Sequence, residues 1–268
     1  VTGLPASLAD YGPAALSAVV VGVYLVLGEP VVGRVLHRRF EGRLRSDPAA
    51  RRSFYLRLLV LEWGLALLAL VVWLAAPGVD AAAVGLAWPT GWPGPVTGVA
   101  AVLVLVLALA SVRALRSGAL ARAATLPQPG EGRHAEPPVH ATLALLPRSR
   151  SERRLFTVVG VTAGVCEEWL YRGFLLAVVA AVAGDLPEVA LVAVAAVAFG
   201  LAHAYQGVSG IVLTGVLGGV FAALYLETGS LLLPVLLHAA VDLRFLLVPA
   251  SALPEVLHAP RAPGGALA

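Results

Sequence analysis

The chain has 268 residues, of which 59% are hydrophobic and 13% charged, and its mean hydropathy is +0.87. That composition excludes a soluble globular domain and places the chain in the membrane class. The net charge of +3 and isoelectric point near 9.4 require no nucleic acid, because anionic lipid at a membrane surface is the simpler partner for the basic residues.

Apolar runs long enough to span a bilayer, by the rule of about 20 residues per helix, occur at approximately 13 to 33, 54 to 76, 93 to 114, 155 to 183, 189 to 206, 208 to 226 and 230 to 248. The expected fold is therefore an all-α polytopic membrane bundle of about seven transmembrane helices. The first run has no basic region ahead of it and is followed by arginines, as a stop-transfer segment is, so it is expected to be a retained helix. With no methionine in the chain, Val1 is expected to be an alternative start or a processed end.

Every basic residue is arginine, and eight of the 19 fall between Arg34 and Arg57 and eight more between Arg113 and Arg154. Cytoplasmic loops collect arginine and lysine, so these two segments are expected inside, with the N-terminus, the 77 to 92 loop and the turns near Asp185 and Glu227 outside. Every span then alternates, and the C-terminus lies inside. The expected location is a bacterial plasma membrane, crossed several times.

Four segments follow from these patterns: N-terminal transmembrane helices over 1–114, a cytoplasmic loop over 115–147, a core over 148–250 and a tail over 251–268. The loop contains Pro127, Pro129, Gly130, Gly132, Pro137 and Pro138 and no periodicity of its own. The stretch Leu145 to Phe156, with arginines beside leucines, suits a short interfacial helix. The tail after Pro249 is expected to be unstructured. The three helices ahead of the loop carry few polar residues, and the last four hold all the motifs that follow.

The first motif is Cys166-Glu167-Glu168-Trp169-Leu170-Tyr171-Arg172-Gly173. Ionisable groups cost roughly 2.5–3.5 kcal/mol each on insertion into a membrane helix, so their presence there points to a functional site. Glu168 and Arg172 are four apart and share a helix face, where they can pair so that neither charge is alone. Glu167 is turned about 100° away and has no partner on its own helix. It is the candidate general base, its competing role being to hold helices together. The single Cys166 excludes an internal disulfide and reads as a small buried hydrophobe.

The second motif, Phe199-Gly200-Leu201-Ala202-His203, sets an imidazole on the same face as Phe199 and flanks it with small residues that let a neighbouring helix approach. His203 lies nearer its helix end than Glu167, and both can face one cavity opened from the cytoplasmic side. The third motif, His238-Ala239-Ala240-Val241-Asp242, places an acid one turn after a histidine. Asp242 can orient that imidazole, hold a water or complete a metal site. Gly215 to Gly219 forms a small-residue seam whose commoner meaning is packing.

In this order, Glu-Glu-x-x-x-Arg, then Phe-x-x-x-His, then His-x-x-x-Asn or Asp, each on its own membrane helix, the motifs resemble the CPBP family of intramembrane proteases, related to the type II CAAX prenyl endopeptidases and the bacterial immunity-associated Abi proteins. The likeness covers about 148 to 245. It implies an intramembrane endopeptidase of the CAAX-protease kind, in which Glu167 and His203 activate the attacking water. His238 and the residue at 242 would stabilise the oxyanion or hold the water, with Glu168 and Arg172 in support. The implied partners are the lipid bilayer and a membrane-anchored protein or peptide substrate. A prenyl group is recognised by surfaces that no motif here defines.

Asp242 stands where the eukaryotic prenyl endopeptidases carry asparagine, and a carboxylate donates no hydrogen bond to an oxyanion unless it is protonated. It is a better metal ligand than an amide, so Glu167, His203, His238 and Asp242 form a candidate nitrogen and oxygen set for zinc with an open position for water. A glutamate-activated water without metal is the equal alternative.

Other readings stay open. A proton- or ion-coupled transporter predicts a passage reaching both faces, and a scaffold or immunity protein predicts partner binding without proteolysis. Gly207-Val208-Ser209-Gly210 matches the literal pattern of a rhomboid-type serine protease, but leaves Glu167, Glu168, Arg172 and His203 without a purpose. Glu255 and His258 have the Glu-x-x-His spacing of di-iron bundles by chance. His134 and His140 are expected to be solvated.

Overall fold

The computed structural model describes residues 3–44, 46–117 and 138–253. Most of the expected loop, 118–137 with His134, and the tail from Pro254 with Glu255 and His258 lie outside the described residues. Eight helical segments are present among those described, with no β-strand and one isolated bridge between Leu86 and Ser230. They are α1, Leu8–Leu44; α2, Ala50–Leu74; α3, Pro95–Arg116; α4, Pro138–Leu145; α5, a continuous run over 150–183; α6, Glu188–Ala202; α7, Gly207–Thr228; and α8, Leu232–Leu243.

The molecule is an all-α membrane helix bundle, and each of the seven expected spans falls on a helix. Four are long and apolar enough to cross a bilayer: Leu8–Leu44, Ala50–Leu74, Pro95–Arg116 and Ala204–Thr228. The other expected spans fall on α5, α6 and α8. Of these, α5 widens into a π turn and carries charges, and the 12 residues of α8 reach only about 18 Å at 1.5 Å each. The outer surface suits lipid, since Leu16, Val60, Val71, Val96 and Leu213 are all largely exposed.

The expected loop over 115–147 contains α4, which apolar Val139, Leu143 and Leu145 did not reveal because eight residues give too little periodicity. The interfacial helix expected over Leu145 to Phe156 is broken instead. Ser149 caps a new helix there, accepting from the Glu152 backbone N–H while the Glu152 carboxylate accepts from that of Ser149. Burial opposes ionisation of Glu152, but hydrogen bonds from the Arg148 and Ser149 backbone and from Arg51 outweigh it and hold its carboxyl below the ordinary range.

Two helices widen into π turns, α1 at Tyr24–Gly28 and α5 at Trp169–Leu175. The turns touch, and the Tyr171 hydroxyl donates to the Leu25 carbonyl at 3.4 Å. Close approach also needs glycine. A Cβ on Gly200 would lie 2.6 Å from the Ile211 carbonyl and 3.2 Å from the Gly215 Cα, so the small-residue seam of α7 packs directly on α6.

Connections segregate to two ends. At one, Gly78 donates to Asp10 O at 2.9 Å, Leu231 to Gly85 O at 3.0 Å and Thr90 to Thr228 O at 3.0 Å. The Glu227 carboxylate there caps α3 through the Gly94 N–H at 2.7 Å and the Thr97 hydroxyl at 2.6 Å. At the other end, Arg51 binds Ala144 O at 3.0 Å and Glu152 at 3.3 Å, the Tyr55 hydroxyl donates to Leu145 O, and Arg153 donates to Val248 O at 3.2 Å. The two arginine-rich segments thus share one end. The N-terminal turn, the loop after α2 and the α7–α8 turn share the other.

Candidate active site

A cavity of about 550 Å³ opens inside the arginine-rich half, and Glu167, His203, His238 and Asp242 all line it. Glu168 and Arg172 sit behind it, each 0% exposed. The three motifs are therefore brought together, four residues on the wall and two as its support.

Support begins with the π turn, which carries Trp169 to Leu175 and keeps Arg172 beside Glu168. The guanidinium donates to Glu168 Oε1 at 3.0 Å and to the Gly218 carbonyl of α7 at 3.2 Å, and lies over the Phe199 ring at 4.3 Å. This charge is held by an anion, a carbonyl and an aromatic face together. Glu168 Oε1 also accepts from His238 Nδ1 at 2.7 Å. Among the roles open to Asp242 was orienting this imidazole; its Oδ2 is 3.8 Å from Nε2, beyond hydrogen-bonding distance, and Glu168 orients the ring instead.

With Nδ1 spent on Glu168, His238 turns Nε2 towards Asp242 and towards Glu167 Oε2 at 3.9 Å. That Glu167 oxygen is buried and takes no hydrogen bond from any described residue. His203 ends α6, where its Nδ1 lies 2.9 Å from the Phe199 carbonyl. A carbonyl only accepts, so Nδ1 carries the proton and Nε2 is left as a base. The imidazole lines the same cavity as Glu167. Phe199 joins the parts, 4.7 Å from the His203 ring and 5.8 Å from the His238 ring, centroid to centroid.

The expected zinc set is spaced more widely than one ion requires. Two ligands of one tetrahedral zinc lie about 3.4 Å apart, against 3.8 and 3.9 Å around His238 Nε2. Among the described residues no group of three or more His, Cys, Asp or Glu side chains is gathered closely enough to hold a metal ion. The donor chemistry suits zinc, but the side chains as arranged do not gather into its site.

Ser209 is exposed and does not line the cavity, and Cys166 is 1% exposed within the apolar core. Sequence reasoning missed two cavity carboxylates, because the helices ahead of the loop were read as nearly free of polar groups. Glu29 of α1 and Glu62 of α2 line the same cavity as Glu167. Glu62 is set opposite the first motif by the flanking bonds from Trp63 Nε1 to Thr162 Oγ1 at 3.2 Å and from Trp169 Nε1 to Ala66 O at 3.1 Å. The signal was available: each is an ionisable residue inside an expected span.

No curated protein and no solved structure matches the chain. A family model described as "Type II CAAX prenyl endopeptidase Rce1-like" matches residues 150–244. That segment, about a third of the chain, contains all six motif residues, from Glu167 to Asp242, and the match supports the resemblance to the CPBP/CAAX protease family.

Proposed function

We propose that the cavity hydrolyses a peptide bond of a membrane-associated protein or peptide by a water that Glu167 and His203 activate. The observation that carries this reading is the free, buried Oε2 of Glu167 beside His238 Nε2 at 3.9 Å, so that a base and a donor can both reach one small reactant lying to one side of them. Glu167 takes one proton from the water as its oxygen attacks the carbonyl carbon, and His203 Nε2 shares in holding that water. The proton then passes to the departing nitrogen.

His238 faces three carboxylates, bonded to Glu168 and close to Glu167 and Asp242. In the imidazolium form the ring's Nε2–H donates to the oxyanion. Asp242 then has no need to donate and faces that ring as a counter-charge. Glu168 and Arg172 act through His238 and are positioning residues.

We place the arginine-rich end in the cytoplasm of a bacterial plasma membrane, so that substrate and water reach the cavity from that side. The far end, where Tyr11, Val84, Tyr225 and Leu231 are buried, favours a one-sided cavity over the passage a transporter needs.

The test is cleavage of a panel of membrane-anchored peptides by detergent-purified protein, comparing wild type with Glu167→Ala, His203→Ala and Ser209→Ala, each with and without a chelator. Loss in the first two variants alone supports the mechanism. Chelator sensitivity transfers the role of activating water to zinc. Loss only in Ser209→Ala refutes the mechanism, and no cleavage by any form leaves the scaffold and transport readings.

A further inference from the structure

Four carboxylates reach the cavity from four helices, Glu29, Glu62, Glu167 and Asp242, and their surroundings divide them into two pairs. Glu167 and Asp242 have His238 beside them at 3.9 and 3.8 Å. Asp242 also feels the charge of Arg244. Glu29 and Glu62 make no ion pair with any described residue. The charges that act on Glu62 include the negative ones of Glu167, Asp242 and Glu29. Its Oε2 is buried and accepts no hydrogen bond from any described residue.

The basic groups of the cavity already have partners, His203 through Nδ1 at the Phe199 carbonyl, 2.9 Å away. His37 is held by Glu41 at 2.8 Å, His238 by Glu168 at 2.7 Å, and Arg244 by Ser111 at 3.1 Å and by the Val241 carbonyl. A carboxylate with a buried oxygen and no cation bonded to it is costly, and such a group either takes up a proton or gains a positive partner. A small metal ion does not fit, since no three such side chains are gathered closely enough to hold one among the described residues. A cation on a long flexible stem can reach between them, and the rest of the wall, with Leu58, Leu61, Leu65 and Phe54, is apolar enough for its methylenes.

The geometry points to Glu62, assisted by Glu29, as a subsite for a lysine or arginine side chain of the substrate next to the bond that Glu167 hydrolyses. This inference rests on the peptidase reading above and supplies its substrate class. The N-terminal helices then contribute selectivity, while the motif helices contribute the chemistry.

The test uses full-length detergent-purified protein and membrane-anchored peptides that differ at one position near the cut, with lysine, norleucine or glutamate there. Wild type is expected to cleave the lysine peptide with a kcat/KM about tenfold or more above the norleucine peptide, the scale of a buried charged hydrogen bond. Glu62→Gln is expected to reduce that ratio at least about fivefold, and Glu62→Arg to shift preference to the glutamate peptide. Equal cleavage of the lysine and norleucine peptides by wild type, at every position tried, overturns the subsite even if the variants fail to fold. An unchanged ratio in Glu62→Gln overturns it too. Glu167→Ala separates the two ideas: cleavage surviving in it refutes the peptidase mechanism, whereas its inactivity beside an unaltered ratio in Glu62→Gln refutes only the subsite.

Discussion

Removing the Glu168 carboxylate tests how the support behind the site is built. In Glu168→Ala the Arg172 guanidinium loses its hydrogen bond at 3.0 Å and His238 loses its bond at 2.7 Å. What remains to the cation is the Gly218 carbonyl at 3.2 Å and the faces of Phe199 at 4.3 Å and Phe221 at 5.4 Å, none of which carries a negative charge. A buried pair broken on one side typically costs about 3–5 kcal/mol, because the partner stays charged and unmatched. For a chain of this size that corresponds to a fall in melting temperature of roughly 6–20 °C. The assay is thermal unfolding in detergent followed by tryptophan fluorescence, at one scan rate. Glu168→Leu combined with Arg172→Leu removes both charges and is expected to melt above Glu168→Ala alone, since no orphaned cation is left. A Glu168→Ala variant that loses less than about 1 kcal/mol, or single costs that simply add in the double variant, would refute the argument that the two charges depend on each other.

Other consequences are equally measurable. Asp242→Asn is expected to keep kcat within about tenfold of wild type, because the His238 ring and not residue 242 supplies the donor; a loss nearer the 10²–10³-fold seen on deleting an oxyanion donor would reverse those roles. The Glu152 carboxyl has a folded pKa below its unfolded one, so its stabilisation is complete above the unfolded value of about 4.3 and disappears as pH falls through the folded value. Wild type should accordingly lose more melting temperature than Glu152→Gln between about pH 5 and pH 3, and parallel curves would count against this. Gly200→Ala puts a Cβ 2.6 Å from a backbone carbonyl and is expected to lose about 1–3 kcal/mol. Gly98→Ala, with nothing within 4 Å, should gain a few tenths to about 1 kcal/mol from helix propensity. Equal melting of those two variants would contradict the packing described.

The spans were legible because an apolar run of helical length has few alternatives in a chain this hydrophobic, and the arginine clusters were enough to say which loops share an end. The pairing of Glu168 with Arg172 followed from four-residue spacing alone, and the structure has them 3.0 Å apart. What spacing could not give was the third dimension. His238 is bonded to a residue 70 positions earlier, and no local pattern distinguishes that partner from Asp242 one turn away. Glu29 and Glu62 escaped for a different reason: each is a solitary acid with no basic or acidic companion at helical spacing, so it forms no motif. The helix Pro138–Leu145 was hidden among prolines and was too short to show a period.

The paired π turns have a further consequence for how the chain tolerates changes in length. A π turn holds one residue more than an α turn would, so α5 carries a surplus residue between Trp169 and Leu175, and α1 another between Tyr24 and Gly28. Deleting either surplus would restore an ordinary helix and leave everything beyond it in nearly the same angular register, because the wider turn already absorbs the rotation of about 100° that an extra residue brings. In α1, Glu29 would keep its side of the helix, whereas the same deletion in a plain α stretch ahead of it would turn Glu29 away from the cavity. Insertions and deletions are usually absorbed at loop tips. Here two places suited to a single-residue deletion lie within helices, against each other.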